Sequence, residues 1–149
     1  MKKILLSVGL FICSAIYIQA QDIADHAIGL RLGDNNGFGS EISYQRKLED
    51  SKRLEVNLGL SNGFSNLKLS GLYEWVWHLE DNFNWYAGAG AGLYDASGVG
   101  IFASGVVGIE YGFKNIPLQL TIDYRPEIGI IGDLDGIQSD IALSVRYQF

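Results

Sequence analysis

The residues with the greatest capacity for chemistry in this sequence are charged side chains that alternate with apolar ones. Glu55 lies between Leu54 and Val56, and Arg146 lies between Val145 and Tyr147. Alternation with a period of two places neighbouring side chains on opposite faces of a β-strand. The charged residues of the polar face are Arg31, Glu41, Glu55, Lys68, Glu74, Glu110, Asp123, Arg125, Glu127, Asp140 and Arg146. If this polar face lines a narrow closed interior, each isolated ion there would be costly. We therefore expect these residues to form a network of ion pairs and hydrogen bonds.

Catalytic and metal-binding motifs are not recognisable. His26 and His78 lie at predicted strand ends, which is typical of surface histidines, and no phosphate loop, paired metal ligands or nucleophile elbow occurs. Asp133, Asp135 and Gly136 contain part of a calcium-loop pattern, but the remaining ligand spacing is missing, which favours a plain turn. A divalent cation that joins these acids to lipopolysaccharide is the alternative. We therefore predict a protein that is not an enzyme and has no cofactor and no metal site.

Length and composition limit the class of protein. The 149 residues are enough for one domain, and only 19% of them are charged, against about 25% in soluble domains. Beyond the first twenty residues, no apolar segment is long enough to cross a bilayer as a helix. Residence in a membrane would therefore require β-strands.

The beginning of the chain has the pattern of an export signal. Basic residues are followed by an apolar segment over 4–18 and by Ala20, which predicts a cleaved signal peptide over 1–20 and a barrel domain over 21–149. An uncleaved helix is the alternative. Lipidation of Cys13 is disfavoured because Ile12, just before it, is not small.

Removal of the signal peptide changes the cysteine count and the charge. The remaining chain has no cysteine, so it cannot form a disulfide, and its net charge is −8. Such an acidic chain is not expected to bind nucleic acid, whose phosphates require a basic surface.

Period-two alternation predicts eight strands. Their ranges are 26–33, 38–48, 53–61, 66–79, 83–94, 100–113, 118–132 and 139–149. Short segments with turn chemistry connect them. We call the end with the connections after even-numbered strands, where the chain also enters and leaves the barrel, the turn side, and the opposite end the loop side. An even number of antiparallel strands with both chain ends on one side is the plan of bacterial membrane barrels.

Alternation alone does not decide which face points outward, since a soluble lipocalin-like barrel alternates with its apolar face inside. Two observations favour an apolar outer face in lipid. Glycine is frequent on the polar face, which leaves room inside a narrow barrel. Aromatic residues of the apolar face are expected to form a girdle at the turn side. These residues are Tyr44, Trp75, Trp77, Trp85, Tyr111, Phe113, Tyr124, Tyr147 and Phe149.

The last segment, Val145-Arg146-Tyr147-Gln148-Phe149, resembles the C-terminal signature of bacterial outer-membrane barrels. The chain as a whole resembles small OmpA/OmpX-type barrels, including the porin-like barrels of Bacteroidetes, although its predicted outer loops are shorter than is usual there. The resemblance implies an all-β, eight-stranded antiparallel up-and-down transmembrane barrel in the bacterial outer membrane. It also implies that Phe149 is an assembly signal for the barrel-assembly machinery.

Three functions remain open from the sequence. The first is a monomeric structural or interaction protein with a plugged lumen, in contact with outer-membrane lipid and lipopolysaccharide. The second is a narrow porin or small-solute channel. The third is a soluble lipocalin-like barrel that binds a small ligand.

Overall fold

The computed structural model describes residues 23–34, 38–132 and 136–149, and these residues form a closed antiparallel barrel in which each strand pairs with its neighbours in sequence. The eight strands are β1 His26–Leu32, β2 Ser40–Glu49, β3 Lys52–Ser61, β4 Asn66–Glu80, β5 Phe83–Asp95, β6 Val99–Gly112, β7 Leu118–Ile131 and β8 Ile137–Gln148. The predicted fold is confirmed, and every predicted strand boundary lies within two residues of the observed one. Within the described residues, no helix is long and apolar enough to cross a membrane. The predicted signal peptide lies outside them.

The strands are tilted relative to the barrel axis. Following the paired residues once around the barrel from Ile28 leads to Ile137 on β8, whereas β1 pairs Ile28 with Tyr147, ten residues further along. With eight strands and this stagger, strand spacing and rise give a tilt of about 40°. An eight-stranded barrel of this kind has an interior that side chains can fill.

The seam between β1 and β8 closes the barrel. Its ladder runs from Ala27 paired with Gln148 to Leu32 paired with Leu143. Beyond the ladder, the His26 amide donates to the Phe149 carbonyl at 3.0 Å, and the Phe149 amide donates to the His26 carbonyl at 2.9 Å. These bonds leave the described barrel without an open sheet edge.

Burial separates the two faces of the strands in the way that the alternation predicts. On β8, Asp140, Ala142, Ser144 and Arg146 are buried, while the apolar residues between them are exposed. The same reversal of the usual soluble pattern holds around the barrel: large apolar side chains cover the outer face, and charged side chains fill the interior. The interior is therefore where the chemistry of this protein is concentrated.

Candidate functional site: the charged interior

All eleven charged residues that the sequence assigns to the polar face lie in the interior, and each is at most 6% exposed. Together with a twelfth buried charged residue, Arg53, they fall into two groups. The loop-side cluster consists of Arg31, Glu41, Lys68, Asp123, Arg125, Glu127 and Asp140. The turn-side cluster consists of Arg53, Glu55, Glu74, Glu110 and Arg146. At ordinary ionisation each cluster has one more carboxylate than it has cations.

Arg31 is the centre of the loop-side cluster. Its Nη2 lies 2.5 Å from Asp123 Oδ1, and its Nη1 lies 2.7 Å from Asp140 Oδ2 and 3.4 Å from Glu41 Oε2. The planar guanidinium can serve several carboxylates because its N–H groups point in different directions. One side chain of β1 thereby holds together carboxylates from β2, β7 and β8.

The remaining cations of the loop-side cluster link it to the opposite wall. Arg125 Nη2 lies 2.5 Å from Glu41 Oε2, and Lys68 Nζ lies 2.6 Å from Glu127 Oε2. Lys68 also lies 4.9 Å from the centre of the Phe102 ring and 5.9 Å from that of Phe38. These aromatic contacts cover the ammonium group on the loop side.

The turn-side cluster contains a cation that the sequence pattern alone did not assign to the interior. Arg53 is 2% exposed, with Nε 2.5 Å from Glu74 Oε2 and Nη1 2.6 Å from Glu110 Oε2. Its guanidinium lies over the ring of Tyr86, 4.6 Å from the ring centre. Arg53 shares the face of Glu55, so the alternation could have identified it, but its position at the predicted start of a strand made it resemble a turn residue.

Arg146 holds the other side of the turn-side cluster. It donates to Ser43 Oγ at 2.9 Å, to Thr121 Oγ1 at 3.0 Å and to Glu55 Oε2 at 3.1 Å. Glu55 also accepts hydrogen bonds from Gln45 and Asn57. A buried carboxylate that is paired and hydrogen-bonded in this way avoids most of the cost of leaving water.

The inner wall of β4–β6 differs from the charged walls because much of it is apolar. Leu72, Val76, Tyr86 and Val106 form one buried cluster, and Ile23, before the first strand, enters the barrel and packs with them. The sequence pattern did not predict that Ile23 would be buried. Nothing local in the sequence marks it, since its partners are far along the chain.

Glycines on the inner wall are required by neighbouring aromatic rings. A Cβ atom at Gly108 would lie 2.6 Å from Tyr86 Cζ and 2.8 Å from Asp123 Cβ, and one at Gly92 would collide with Phe102. Because Gly108 is small, Tyr86 can reach across and donate from its hydroxyl to Asp123 Oδ2 at 3.2 Å. Through this bond, Tyr86, whose ring lies under the Arg53 guanidinium, connects the turn-side cluster with Asp123 of the loop-side cluster.

The turn-side mouth of the barrel contains a polar cavity of about 180 Å³. Arg53, Asn84, Glu110 and Gln119 line it, and Ile23 contributes to its wall. Both Asn84 and Gln119 donate to Glu110, at 3.0 and 2.8 Å. The cavity therefore ends at the turn-side cluster.

His26 lies away from the charged clusters, and His78 is linked to the turn-side cluster through Asn84, which donates to Glu110. His26 Nδ1 lies 2.7 Å from the Tyr44 hydroxyl, and His78 Nδ1 lies 3.1 Å from Asn84 Oδ1. Asp133 and Asp135 of the possible calcium loop lie outside the described residues, and Gly136 is exposed. No group of three metal-ligating side chains occurs within the described ranges.

Aromatic side chains form a belt on the outer face at the turn side. Trp77 stacks on Trp85 at 4.3 Å between ring centres, and Tyr111 contacts Phe113 at 4.9 Å. Phe149 contacts both Tyr147 and His26. The belt also contains three residues that the sequence analysis did not assign to the girdle, Tyr73, Phe83 and His26.

Tyr124 is placed differently from the other predicted girdle residues. It lies in the middle of β7, paired with Val107 on β6 and Ile141 on β8. Alternation gave its face correctly, but height in a tilted barrel depends also on the stagger between strands, which the sequence does not display. The role of Phe149 in assembly stays a prediction.

No family model matches this sequence, and no curated protein matches it. Solved barrels share its fold. A transmembrane β-barrel designed de novo is 15% identical with a TM-score of 0.62, and the match covers 87% of this chain and 99% of that one. Neisserial surface protein A is 16% identical with a TM-score of 0.56, over 83% and 94% of the two chains. The designed protein TMB2.3, solved by NMR in solution, is 14% identical with a TM-score of 0.58, over 87% and 97%. The chain thus has the fold of eight-stranded transmembrane β-barrels.

Proposed function

We propose that this chain is a non-enzymatic protein of the bacterial outer membrane whose interior is closed by ion pairs and which has a structural or interaction role. The observation that carries the proposal is the distribution of apolar side chains. Residues such as Ile122, Ile130 and Ile141 are 60–71% exposed on the outer face. An apolar surface that extends around a whole barrel far exceeds what soluble monomers expose, and lipid is the solvent that favours it.

The closed lumen is supported by the depth of the charge network. Ion pairs extend from Lys68 and Glu127 on the loop side to Arg53 and Glu110 on the turn side. All four of these side chains are at most 3% exposed. A path for solute would have to break pairs that are shielded from water, which is costly.

Two further parts of the proposal concern partners. The outer face would contact outer-membrane lipid and lipopolysaccharide as a monomer. Phe149, exposed on that face beside His26 and Tyr147, would present the aromatic ring that the barrel-assembly machinery recognises.

Membrane fractionation with gel mobility before and after heating tests the location. A folded membrane barrel is expected in the outer-membrane fraction, with a mobility that changes when boiling unfolds it. A soluble periplasmic product without this change would contradict the proposal.

Conductance across planar bilayers tests the lumen. The plugged barrel is expected to give no single-channel steps, and Arg31→Ala, which removes the central cation, is the matched variant for an opened interior. Steps from the unmodified protein would instead support the narrow porin, the second candidate from the sequence.

A further inference from the structure

The outer wall carries an isolated positive charge near the turn side. On the outward face of β2, Arg46 follows Ile42 and Tyr44 and is exposed. In the described strands, the other charges on the outward face lie at strand ends, such as Lys52 at the start of β3 and Asp95 at the end of β5. Arg46 therefore differs from the rest of the wall, because a charge on a surface that faces lipid is costly without a counter-ion.

The neighbours of Arg46 do not supply that counter-ion. Across the sheet, Arg46 is paired with His26 of β1 and Leu54 of β3. The acids of the adjoining turn, Glu49 and Asp50, are bound at 2.6 and 3.4 Å by the two lysines that flank them. Arg46 itself makes no ion pair with any residue that the structure describes. Its guanidinium is therefore available to an anion from outside the chain.

Aromatic rings of the belt lie beside Arg46. His26 Nδ1 lies 2.7 Å from the Tyr44 hydroxyl, and the His26 ring stacks on Phe149 at 5.4 Å between ring centres. Amphipathic rings are typical of the headgroup level of a bilayer. At this level a long basic side chain can keep its stem in apolar surroundings and extend its charged end toward the headgroups. The anion nearest to Arg46 in a membrane would thus be a lipid phosphate.

We propose that Arg46 binds the phosphate of an anionic glycerophospholipid in the leaflet at the turn side. The guanidinium donates to two phosphate oxygens, a geometry that its planar fork matches. The acyl chains lie toward mid-barrel on the apolar outer face of β1 and β2, where Ile28 and Ile42 are 45% and 47% exposed. A lipid with a net negative charge is favoured because a zwitterionic lipid brings a cation of its own, which competes with Arg46 for the phosphate.

This inference rests on the proposed membrane location and adds the class of lipid selected and the residue that selects it. The location alone requires only an apolar wall, which any lipid satisfies. Ile122 on β7, three strands away from β2, is 60% exposed on the same wall. Contact of Ile122 with apolar chains can therefore be measured separately from the selection of a lipid at Arg46.

The test is a ¹H–¹⁵N NMR titration of the folded barrel in uncharged maltoside micelles, observing Arg46 Nε–H and the backbone amides of His26 and Leu54. The probes are lysophosphatidylglycerol, which is anionic, lysophosphatidylcholine, which is zwitterionic, and glycerol 3-phosphate, which has the phosphate but no chain. Lysophosphatidylglycerol is expected to give saturable shifts at all three reporters. Lysophosphatidylcholine should bind about tenfold more weakly. Glycerol 3-phosphate should give no saturable shift, since no chain holds it at the wall.

One variant locates the site, and a second serves as its control. Arg46→Gln removes the charge and the fork, and it should weaken lysophosphatidylglycerol binding about tenfold, as measured at His26 and Leu54. Lys114→Gln removes the same charge from the exposed turn between β6 and β7, at the same end of the barrel, and should leave binding unchanged. Equal binding of the two lysolipids, saturable binding of glycerol 3-phosphate, or unaltered binding by Arg46→Gln would overturn the proposal.

A spin-labelled fatty acid in the micelles separates this inference from the proposed location. Its label lies among the apolar chains and should broaden the Ile122 amide, whichever lipid Arg46 selects. Broadening at Ile122 without selective shifts near Arg46 would overturn the inference and leave the location standing. Absence of broadening at Ile122 would overturn both.

Discussion

The inner and outer walls of this barrel are made by the same strands but follow opposite rules. On the inner wall, a charged side chain such as Arg125 is fully buried and is stabilised by an ion pair with a specific partner, Glu41. On the outer wall, an apolar side chain such as Ile141 is 71% exposed and depends on the surrounding medium rather than on a particular neighbour. From this difference we expect the effect of a substitution on stability to depend more on which wall the residue faces than on which strand it belongs to. Matched substitutions on the two walls can test this expectation.

Removal of the central cation should have the largest effect. Arg31→Met deprives Asp123, Asp140 and Glu41 of a shared partner, and we expect a loss of about 3–5 kcal/mol in the free energy of unfolding. The measurement is urea unfolding in lipid vesicles. Lys52→Met is the control, since Lys52 pairs with Glu49 at the exposed turn and its loss should leave the unfolding midpoint unchanged. Equal effects of the two variants would mean that the interior is wet.

Addition of a charge to the outer wall should have the next largest effect. Ala89 is exposed at mid-height on β5, and Ala89→Arg should cost about 2–4 kcal/mol in a bilayer. Ala89→Leu, apolar and larger, should be tolerated at the same position. If Ala89→Arg is as stable as the parent in vesicles, the outer wall does not face lipid and the proposed location is wrong.

Addition of one methyl group should also affect the two walls differently, but with a smaller change in the free energy of unfolding. Gly108→Ala forces a Cβ atom against Tyr86 and Asp123, so we expect a loss of about 1–3 kcal/mol. Gly71→Ala places the same atom on the outer wall, where nothing lies within 4 Å, and should be neutral or slightly stabilising. Thermal unfolding of both variants in one detergent would show the contrast, and a destabilisation by Gly71→Ala alone would reverse it.

Loss of one hydroxyl should have the smallest effect. Tyr86→Phe removes the hydrogen bond to Asp123 Oδ2 and should cost about 1 kcal/mol, because that oxygen still accepts from Arg31 Nε at 3.3 Å. Tyr124→Phe removes the same atom from the outer wall and should change the free energy of unfolding by less than about 0.5 kcal/mol. The two values come from the same unfolding assay, and a larger cost for Tyr124→Phe would contradict the assignment of faces.

The strands and their inner and outer faces could be predicted from the sequence, because local alternation of polar and apolar residues determines which side chains face each wall of the barrel. It did not reveal the pairing within the interior, since Arg31 and Asp123 become neighbours only when the sheet closes. Arg53 was missed at a strand boundary, where turn and strand chemistry look alike. Ile23 was missed because its burial depends on the apolar inner wall of β4–β6, and the pattern of an apolar residue on both faces of β4 is its only indirect signal.

The seam between β1 and β8 also has a consequence for folding kinetics. Every other ladder joins strands that are adjacent in sequence, whereas Ala27 must find Gln148 across almost the whole chain. Contacts between such distant residues form late, because the loop-closure entropy must be overcome first. Arg31 lies on β1, one of the two strands of this seam, and pairs with Asp140 of β8 and Asp123 of β7. Interactions formed after the transition state slow unfolding rather than speed folding. We therefore expect the ion pairs of Arg31 to slow the unfolding of the closed barrel more than they speed its folding.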